Sequence, residues 1–71
     1  MYTGYWIKNN YIWGPLANGE YWISNNWIYG SRNGGEYWID KGFIWGPKDN
    51  GRFWIDNNRI YGPHENLPWL T

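Results

Sequence analysis

The stretch YWISNNWIYG, residues 21–30, decides the fold of this 71-residue chain. Four residues centred on two asparagines join an aromatic-Trp-Ile triplet to an Ile-aromatic-Gly triplet, and this pair of triplets returns every 16 residues. Repetition at a fixed period indicates one supersecondary unit used several times. We therefore predict a single domain over residues 1–71. Its four repeats span about residues 2–17, 18–33, 34–49 and 50–65.

Each repeat has the pattern of a β-hairpin. The central pair Asn25-Asn26 suits a type I′ turn, in which both central residues need a positive φ. This turn would pair Ile23 with Ile28, and in the last repeat it would pair Asp56 with Arg59, a favourable cross-strand charge pair. The equivalent turn pairs are Asn9-Asn10, Lys41-Gly42 and Asn57-Asn58.

Strand alternation separates two faces of every hairpin. The first aromatic residue, both isoleucines and the glycine share the face that is constant among repeats, which we predict to be the core. The Trp of each triplet shares the other face with the second aromatic residue. That second residue alternates along the chain as Trp13, Tyr29, Trp45 and Tyr61, which indicates a two-fold relation within the four-fold repeat.

Short linkers join the hairpins, so the sequence predicts an all-β antiparallel meander of eight strands without a helix. Counting by 16 places Trp69 in the slot of Tyr5, and residues 67–71 are expected to form a closing strand beside residues 1–4. Such a strand would remove the exposed sheet edge and give a closed, pseudo-four-fold β-flower or small barrel. The alternative is a linear array whose tail is a polar cap. We favour closure.

Residues 23–30 and 55–62 resemble the Ile-x-x-Asn-x-Ile-Tyr repeat of small bacterial four-fold β-flower proteins. The resemblance covers residues 2–65 and implies four two-stranded petals around a pseudo-four-fold axis, but it implies no activity. The chain departs from that pattern by placing Trp before the first isoleucine, where a smaller aromatic residue is expected. Choline-binding hairpin repeats of cell-wall proteins are a weaker second resemblance, because their period is longer and their paired tyrosines are missing here.

Composition excludes several functions. The net charge is 0, so the chain lacks the positive field that attracts nucleic acid or anionic membranes. No run of 18 apolar residues predicts a membrane span, and residues 1–8 lack the basic and apolar segments of a signal peptide. We expect no nucleic-acid or membrane partner and, by default, a cytoplasmic location. Cysteine is absent, which excludes disulfides and thiolate metal sites.

Aromatic residues are unusually frequent, with eight Trp, seven Tyr and two Phe. Few other large apolar residues are available besides the isoleucines. A chain of this length needs a dense core to offset the conformational entropy of folding. We therefore expect most of the aromatic residues to be buried.

Catalytic and metal sites are poorly supported. The single histidine, His64, lies in a linker, and neither Ser24 nor Ser31 has a base nearby in sequence. Asp40 and Asp56 occupy equivalent slots in neighbouring repeats and could approach each other like glycosidase carboxylates, but charges beside hairpin turns usually serve solubility. We expect no enzymatic activity, no catalytic residues, no metal site and no cofactor.

The remaining hypothesis is a non-catalytic, aromatic-rich binding module for a glycan or a protein. Sugars fit an aromatic face because their C–H faces stack on indole while polar turn residues bond hydroxyls. The alternative is a structural or self-assembly module, in which the tryptophans form a core or a homo-oligomer interface and bind no ligand. The predicted ligand-binding residues are Trp6, Trp22, Trp38, Trp54, Asn10, Asn26 and Asn58.

Overall fold

The computed structural model describes residues 1–70, which form eight strands and one turn of 3₁₀ helix. The strands are β1 Tyr2–Lys8, β2 Tyr11–Trp13, β3 Tyr21–Ser24, β4 Trp27–Tyr29, β5 Tyr37–Asp40, β6 Phe43–Trp45, β7 Phe53–Asp56 and β8 Arg59–Tyr61, and the helical turn is Pro68–Leu70. Each strand pairs antiparallel with the next, and β8 pairs with β1. The sheet is therefore a closed barrel, and the predicted closed all-β meander is confirmed.

The hairpin turns have the predicted conformation and register. In the second repeat Asn25 has φ 51° and Asn26 has φ 67°, and Ile23 lies opposite Ile28. Both central residues of the other three turns also have positive φ. Lys41, which pairs with Gly42 in the third turn, adopts φ 53° although lysine has no intrinsic preference for this region.

Hydrogen bonds between neighbouring hairpins repeat with four-fold regularity. The carbonyl of the second turn residue accepts from the first isoleucine of the following repeat, as in the 2.8 Å bond from Ile23 N to the Asn10 carbonyl. The bond from Ile7 N to the Asn58 carbonyl, also 2.8 Å, is the equivalent contact between the last and the first repeat. The ring thus closes with the same contact that joins its neighbouring repeats.

The barrel interior contains the face that is constant among repeats. Ile12 and its three equivalents are buried, whereas the first isoleucines are half-buried and pack against them. The ring of Tyr5 lies so close to Gly14 that a Cβ on this glycine would be 2.2 Å from the ring. The same close approach occurs in every repeat, which explains the glycine that follows each second aromatic residue. The buried first aromatic residues are Tyr5, Tyr21, Tyr37 and Phe53.

Closure is achieved by β1 and not by a ninth strand. Tyr2 lies opposite Tyr61, the N-terminal ammonium of Met1 donates to the Gly62 carbonyl at 2.8 Å, and Gly62 N donates to the Met1 carbonyl. The buried Thr3 adds a 2.7 Å bond from its Oγ1 to the Ile60 carbonyl. These contacts use the edge of β1 that the expected closing strand would have needed.

The expected closing strand over residues 67–71 is therefore wrong for residues 67–70, and residue 71 lies outside the described residues. Pro68 has no N–H to donate to a sheet and instead begins the 3₁₀ turn. Leu67 and Trp69 are fully buried, and the Trp69 ring lies 5.7 Å from that of Tyr37. The segment thus covers the linker end of the barrel as part of the core.

Candidate functional site: an outer aromatic belt

The outer face of the barrel carries seven of the eight tryptophans. Trp6, Trp22, Trp38 and Trp54 are 42, 42, 38 and 37% exposed, whereas Trp69 is the single tryptophan in the core. The expectation that most aromatic residues are buried is wrong, because five of them are: Tyr5, Tyr21, Tyr37, Phe53 and Trp69. Strand alternation is the reason, since each aromatic residue that points inward is followed by a Trp that points outward.

Strand register gathers the outer side chains into four stripes. Each stripe has one of the four predicted platform tryptophans at its centre, with a cross-strand neighbour on either side. Two strands of each stripe belong to one repeat and the third strand belongs to the preceding repeat. The stripes are Arg59-Trp6-Trp13, Tyr11-Trp22-Tyr29, Trp27-Trp38-Trp45 and Phe43-Trp54-Tyr61. Together we call these twelve side chains the aromatic belt.

Ring contacts within the belt hold the platforms Trp22, Trp38 and Trp54 in place. Trp22 is stacked with Tyr29 at a centroid distance of 6.2 Å and an interplanar angle of 26°. Trp54 and Tyr61 are nearly parallel, at 5.8 Å and 11°. Such pairs stabilise the sheet and fix the ring orientation before any ligand arrives.

The odd repeats anchor the second aromatic residue in a different way. Trp13 Nε1 donates to the Lys8 carbonyl, and Trp45 Nε1 donates to the Asp40 carbonyl, both at 3.4 Å. Tyrosine occupies this position in the even repeats. The two-fold relation indicated by the sequence is thus visible in the hydrogen bonds of the outer face.

The predicted turn asparagines lie next to the platforms of the following repeat. Because the Asn10 carbonyl accepts from Ile23 N, Asn10 is placed beside the strand that carries Trp22. The same bonds bring Asn26 to the strand of Trp38 and Asn58 to the strand of Trp6. At the strand of Trp54 the equivalent bond runs from Ile55 N to the Gly42 carbonyl, so a glycine takes the place of the asparagine there. All three asparagine side chains are exposed, and their positive φ shows a role in the turn, while ligand contact stays a prediction.

Sequence reasoning missed the neighbours that each platform takes from the preceding repeat. These neighbours are Tyr11, Trp27, Phe43 and Arg59. Because the residue type differs in every repeat, the repeat pattern does not single out this position as part of a site. The pairing of Tyr11 with Trp22 follows from short linkers and antiparallel strands, so the signal was present in the predicted topology. Tyr2 was also missed because it precedes the repeat pattern, yet its ring lies 5.5 Å from that of Tyr61.

Other features of the chain lie away from the belt. A cleft of about 220 Å³ at the linker end is lined by Thr3, Tyr5, Pro15, Leu16, Glu65 and Asn66. His64 is exposed, 3.6 Å from an Asp49 carboxylate oxygen. Within residues 1–70 no three His, Asp or Glu side chains are grouped so that they could hold a metal ion.

Comparison with protein-family models, with curated proteins and with solved structures finds no match to this chain. The helical part of residues 1–70 offers no segment with the length and hydrophobicity to cross a membrane. The geometry of the belt is therefore the basis for a functional proposal.

Proposed function

We propose that the chain is a non-catalytic glycan-binding module whose ligands stack on the platform tryptophans of the aromatic belt. The observation that carries the proposal is the 37–42% exposure of four tryptophans at the same repeat position. Exposed apolar patches rimmed by polar residues typically mark interaction sites. Here the rim consists of the exposed residues Lys8, Ser24, Asp40 and Asp56 at the turn end of the first strand of each hairpin.

The chemistry of a sugar matches both parts of this surface. The C–H face of a pyranose ring is flat and apolar and covers an indole, while its hydroxyl groups need hydrogen-bond partners at the edge. Exposed Asn10 and Asn26 supply amide donors and acceptors beside the strands of Trp22 and Trp38. Since the rings of Trp22, Trp38 and Trp54 are already held by neighbouring rings, little conformational entropy is lost on binding.

Four stripes around one barrel favour a repetitive ligand. A single stacked sugar ring contributes weak affinity, but several stripes that engage one polysaccharide or a dense glycan surface raise the overall avidity. The side chains that flank the platforms differ among the stripes, so we expect the four sites to differ in affinity.

Self-assembly is the second candidate, and the continuity of the belt favours it. Eleven of its twelve side chains are aromatic, and such a surface is large for a monomer of this size. In that case a second copy of the chain would cover the platforms.

An NMR titration tests the proposal. The ¹⁵N-labelled chain is titrated with cellohexaose, chitohexaose and mannohexaose while the indole N–H signals are followed, and its mass in solution is measured by light scattering. We expect at least one sugar to shift the platform signals of a monomer while the Trp69 signal stays unchanged. Trp38→Ala should remove the shifts of Trp27 and Trp45, the other two indoles of its stripe, whereas Leu16→Ala, at an 80% exposed linker position, should remove none.

Two results would overturn glycan binding. In the first, no sugar shifts a platform signal of the monomeric chain. In the second, a stable dimer protects the platform signals, which would establish the self-assembly alternative.

A further inference from the structure

The four stripes are surrounded by different charges. The residue two positions after each platform points to the same outer face, and in chain order it is Lys8, Ser24, Asp40 and Asp56. The stripe of Trp6 also contains Arg59, which lies opposite Trp6 in the β1–β8 pairing. Trp6 therefore has one cationic side chain across the strand and a second along it. In contrast, Trp54 has Asp56 along its strand and Phe43 opposite.

The Arg59 side chain is oriented toward Tyr2 on β1. Its guanidinium carbon lies 5.9 Å from the centroid of the Tyr2 ring, within the range of a cation–π contact. Asp56 is its cross-strand neighbour in the β7–β8 pairing. Neither Arg59 nor Lys8 nevertheless forms an ion pair with another residue of the described range 1–70.

We propose that the Trp6 stripe selects an acidic sugar, a hexuronate, whose ring stacks on Trp6 while Arg59 binds its carboxylate and Lys8 adds a second positive charge beside the platform. The inference rests on the proposed glycan-binding function and adds the ligand class of one stripe. A guanidinium donates two parallel N–H bonds to a carboxylate, which neutral sugars do not offer. The cation–π contact with Tyr2 holds the guanidinium beside the β1–β8 pairing.

Asp56 is expected to lower the affinity for a uronate, and this expectation provides a test of the proposal. As the one carboxylate facing Arg59 across the sheet, it competes for the same N–H donors and repels an incoming anion. Asp56→Asn should therefore strengthen uronate binding, whereas removal of a residue that serves structure alone would not raise affinity. The stripe of Trp54, with Asp56 beside its platform, should bind neutral sugars only.

The experiment compares two ligands that differ only at C6, methyl β-glucoside and methyl β-glucuronide. Both are titrated into the full chain, and the Kd at the Trp6 indole signal is determined by NMR at low and at high salt. We expect the glucuronide to bind about three- to tenfold more tightly at low salt, as for an exposed, charge-assisted contact. This preference should shrink in high salt because exposed charges are screened.

Variants then assign the preference to the two cations. Arg59→Gln and Lys8→Gln should each lower the affinity for the glucuronide more than the affinity for the glucoside, so that the preference is reduced. The other repeats hold Tyr, Trp or Phe in the slot of Arg59, so the barrel accepts a neutral residue there. Arg32→Gln and Lys41→Gln change the net charge equally at positions remote from Trp6 and should leave the preference intact.

The outcomes separate the two proposals. Equal affinity for both ligands, or a preference that survives in Arg59→Gln, overturns acidic selection and leaves glycan binding standing. If neither ligand binds and the hexasaccharides fail as well, glycan binding itself is wrong and the uronate site falls with it.

Discussion

The indole ring of Trp38 lies 5.4 Å from that of Trp27, across the boundary between the second and third repeats. The two residues are cross-strand partners on β4 and β5, and their planes are tilted by 46°. This contact joins one hairpin to the next on the outer face of the barrel, where the core residues make no contacts between hairpins. The belt therefore stabilises the fold as well as presenting a surface.

A double-mutant cycle on Trp27 and Trp38 should reveal this contribution. We expect a coupling of about 0.5–1.5 kcal/mol in the free energy of unfolding, as measured for other aromatic pairs. Urea unfolding of the two single Ala variants and the double variant gives the coupling. Trp6 and Trp38 share no ring contact, so their cycle should be additive within about 0.5 kcal/mol. Additivity for Trp27 and Trp38 as well would show that the belt does not couple the repeats.

The contact between Gly14 and Tyr5 predicts a severe effect of one methyl group. In Gly14→Ala the new Cβ would lie 2.2 Å from the Tyr5 ring, which cannot move because it is buried in the barrel. We expect a loss of about 3 kcal/mol or more in the free energy of unfolding, or failure to fold. Thermal and urea unfolding measure the loss.

Gly42→Asn is the matched control for that substitution. Gly42 occupies the turn slot that holds Asn in the other three repeats, and a Cβ there has no neighbour closer than 3.7 Å. We expect a change within about 0.5 kcal/mol, since Asn tolerates positive φ. Equal effects of the two substitutions would contradict the specific role of ring packing on Gly14.

Trp69 is predicted to be essential for stability although it lies outside the repeats. Trp69→Ala would remove a fully buried ring that contacts Tyr37, at an expected cost of about 3–5 kcal/mol. Asn33→Ala would remove the 3.0 Å bond from Asn33 Nδ2 to the Trp69 carbonyl and would place Ala at φ 55°, so it should cost about 2–3 kcal/mol. Unfolding by urea compares both with Leu16→Ala. Native stability in Trp69→Ala would show that the barrel closes without its C-terminal segment.

The position of Trp69 shows which part of the fold could not be predicted from the sequence. The hairpin turns, the register of Ile23 with Ile28 and the closed meander followed from turn chemistry and alternation, which are local rules. The 16-residue spacing correctly predicts that Trp69 is a buried aromatic residue, but it does not predict the backbone conformation around it. The repeat pattern does not predict the 3₁₀ turn that begins at Pro68.

Turn chemistry and strand alternation also do not predict whether the aromatic belt is exposed. Periodicity separated the Trp face from the isoleucine face, but whether Trp22 is covered depends on how strands curve into a barrel. Short strands enclose a narrow interior, which is filled mainly by one aromatic ring and one isoleucine from each repeat and by Leu67 and Trp69. The likeness to β-flower proteins and the predicted ligand contacts remain predictions.

Solvent accessibility of the tryptophans can be read from their indole N–H signals. With a soluble paramagnetic agent we expect strong broadening for the exposed tryptophans and none for Trp69, which is fully buried. Trp13 and Trp45 should be intermediate because their Nε1 groups donate to carbonyls within the hairpin. Protection of all eight signals in a monomer would contradict the exposed belt, whereas protection that disappears on dilution would indicate self-association.

Tyr37 should make the barrel sensitive to alkaline pH. Burial raises the pKa of Tyr37 above its ordinary value of 10.0, and a backbone hydrogen bond from Lys48 opposes this only in part. Above about pH 10 the unfolded chain loses the phenolic proton while the folded chain retains it, so stability falls as pH rises. The urea midpoint, measured between pH 8 and pH 11.5, should therefore decline.

Tyr37→Phe isolates this effect, because Phe53 shows that the slot accepts phenylalanine in the fourth repeat. The variant loses one hydroxyl contact and starts from a lower midpoint, but its decline with pH should be shallower than that of the native chain. The two proteins are otherwise identical in their ionisable groups, so the difference between the two slopes belongs to Tyr37. Parallel pH profiles would show that the Tyr37 hydroxyl is equally accessible to water in the folded and the unfolded chain.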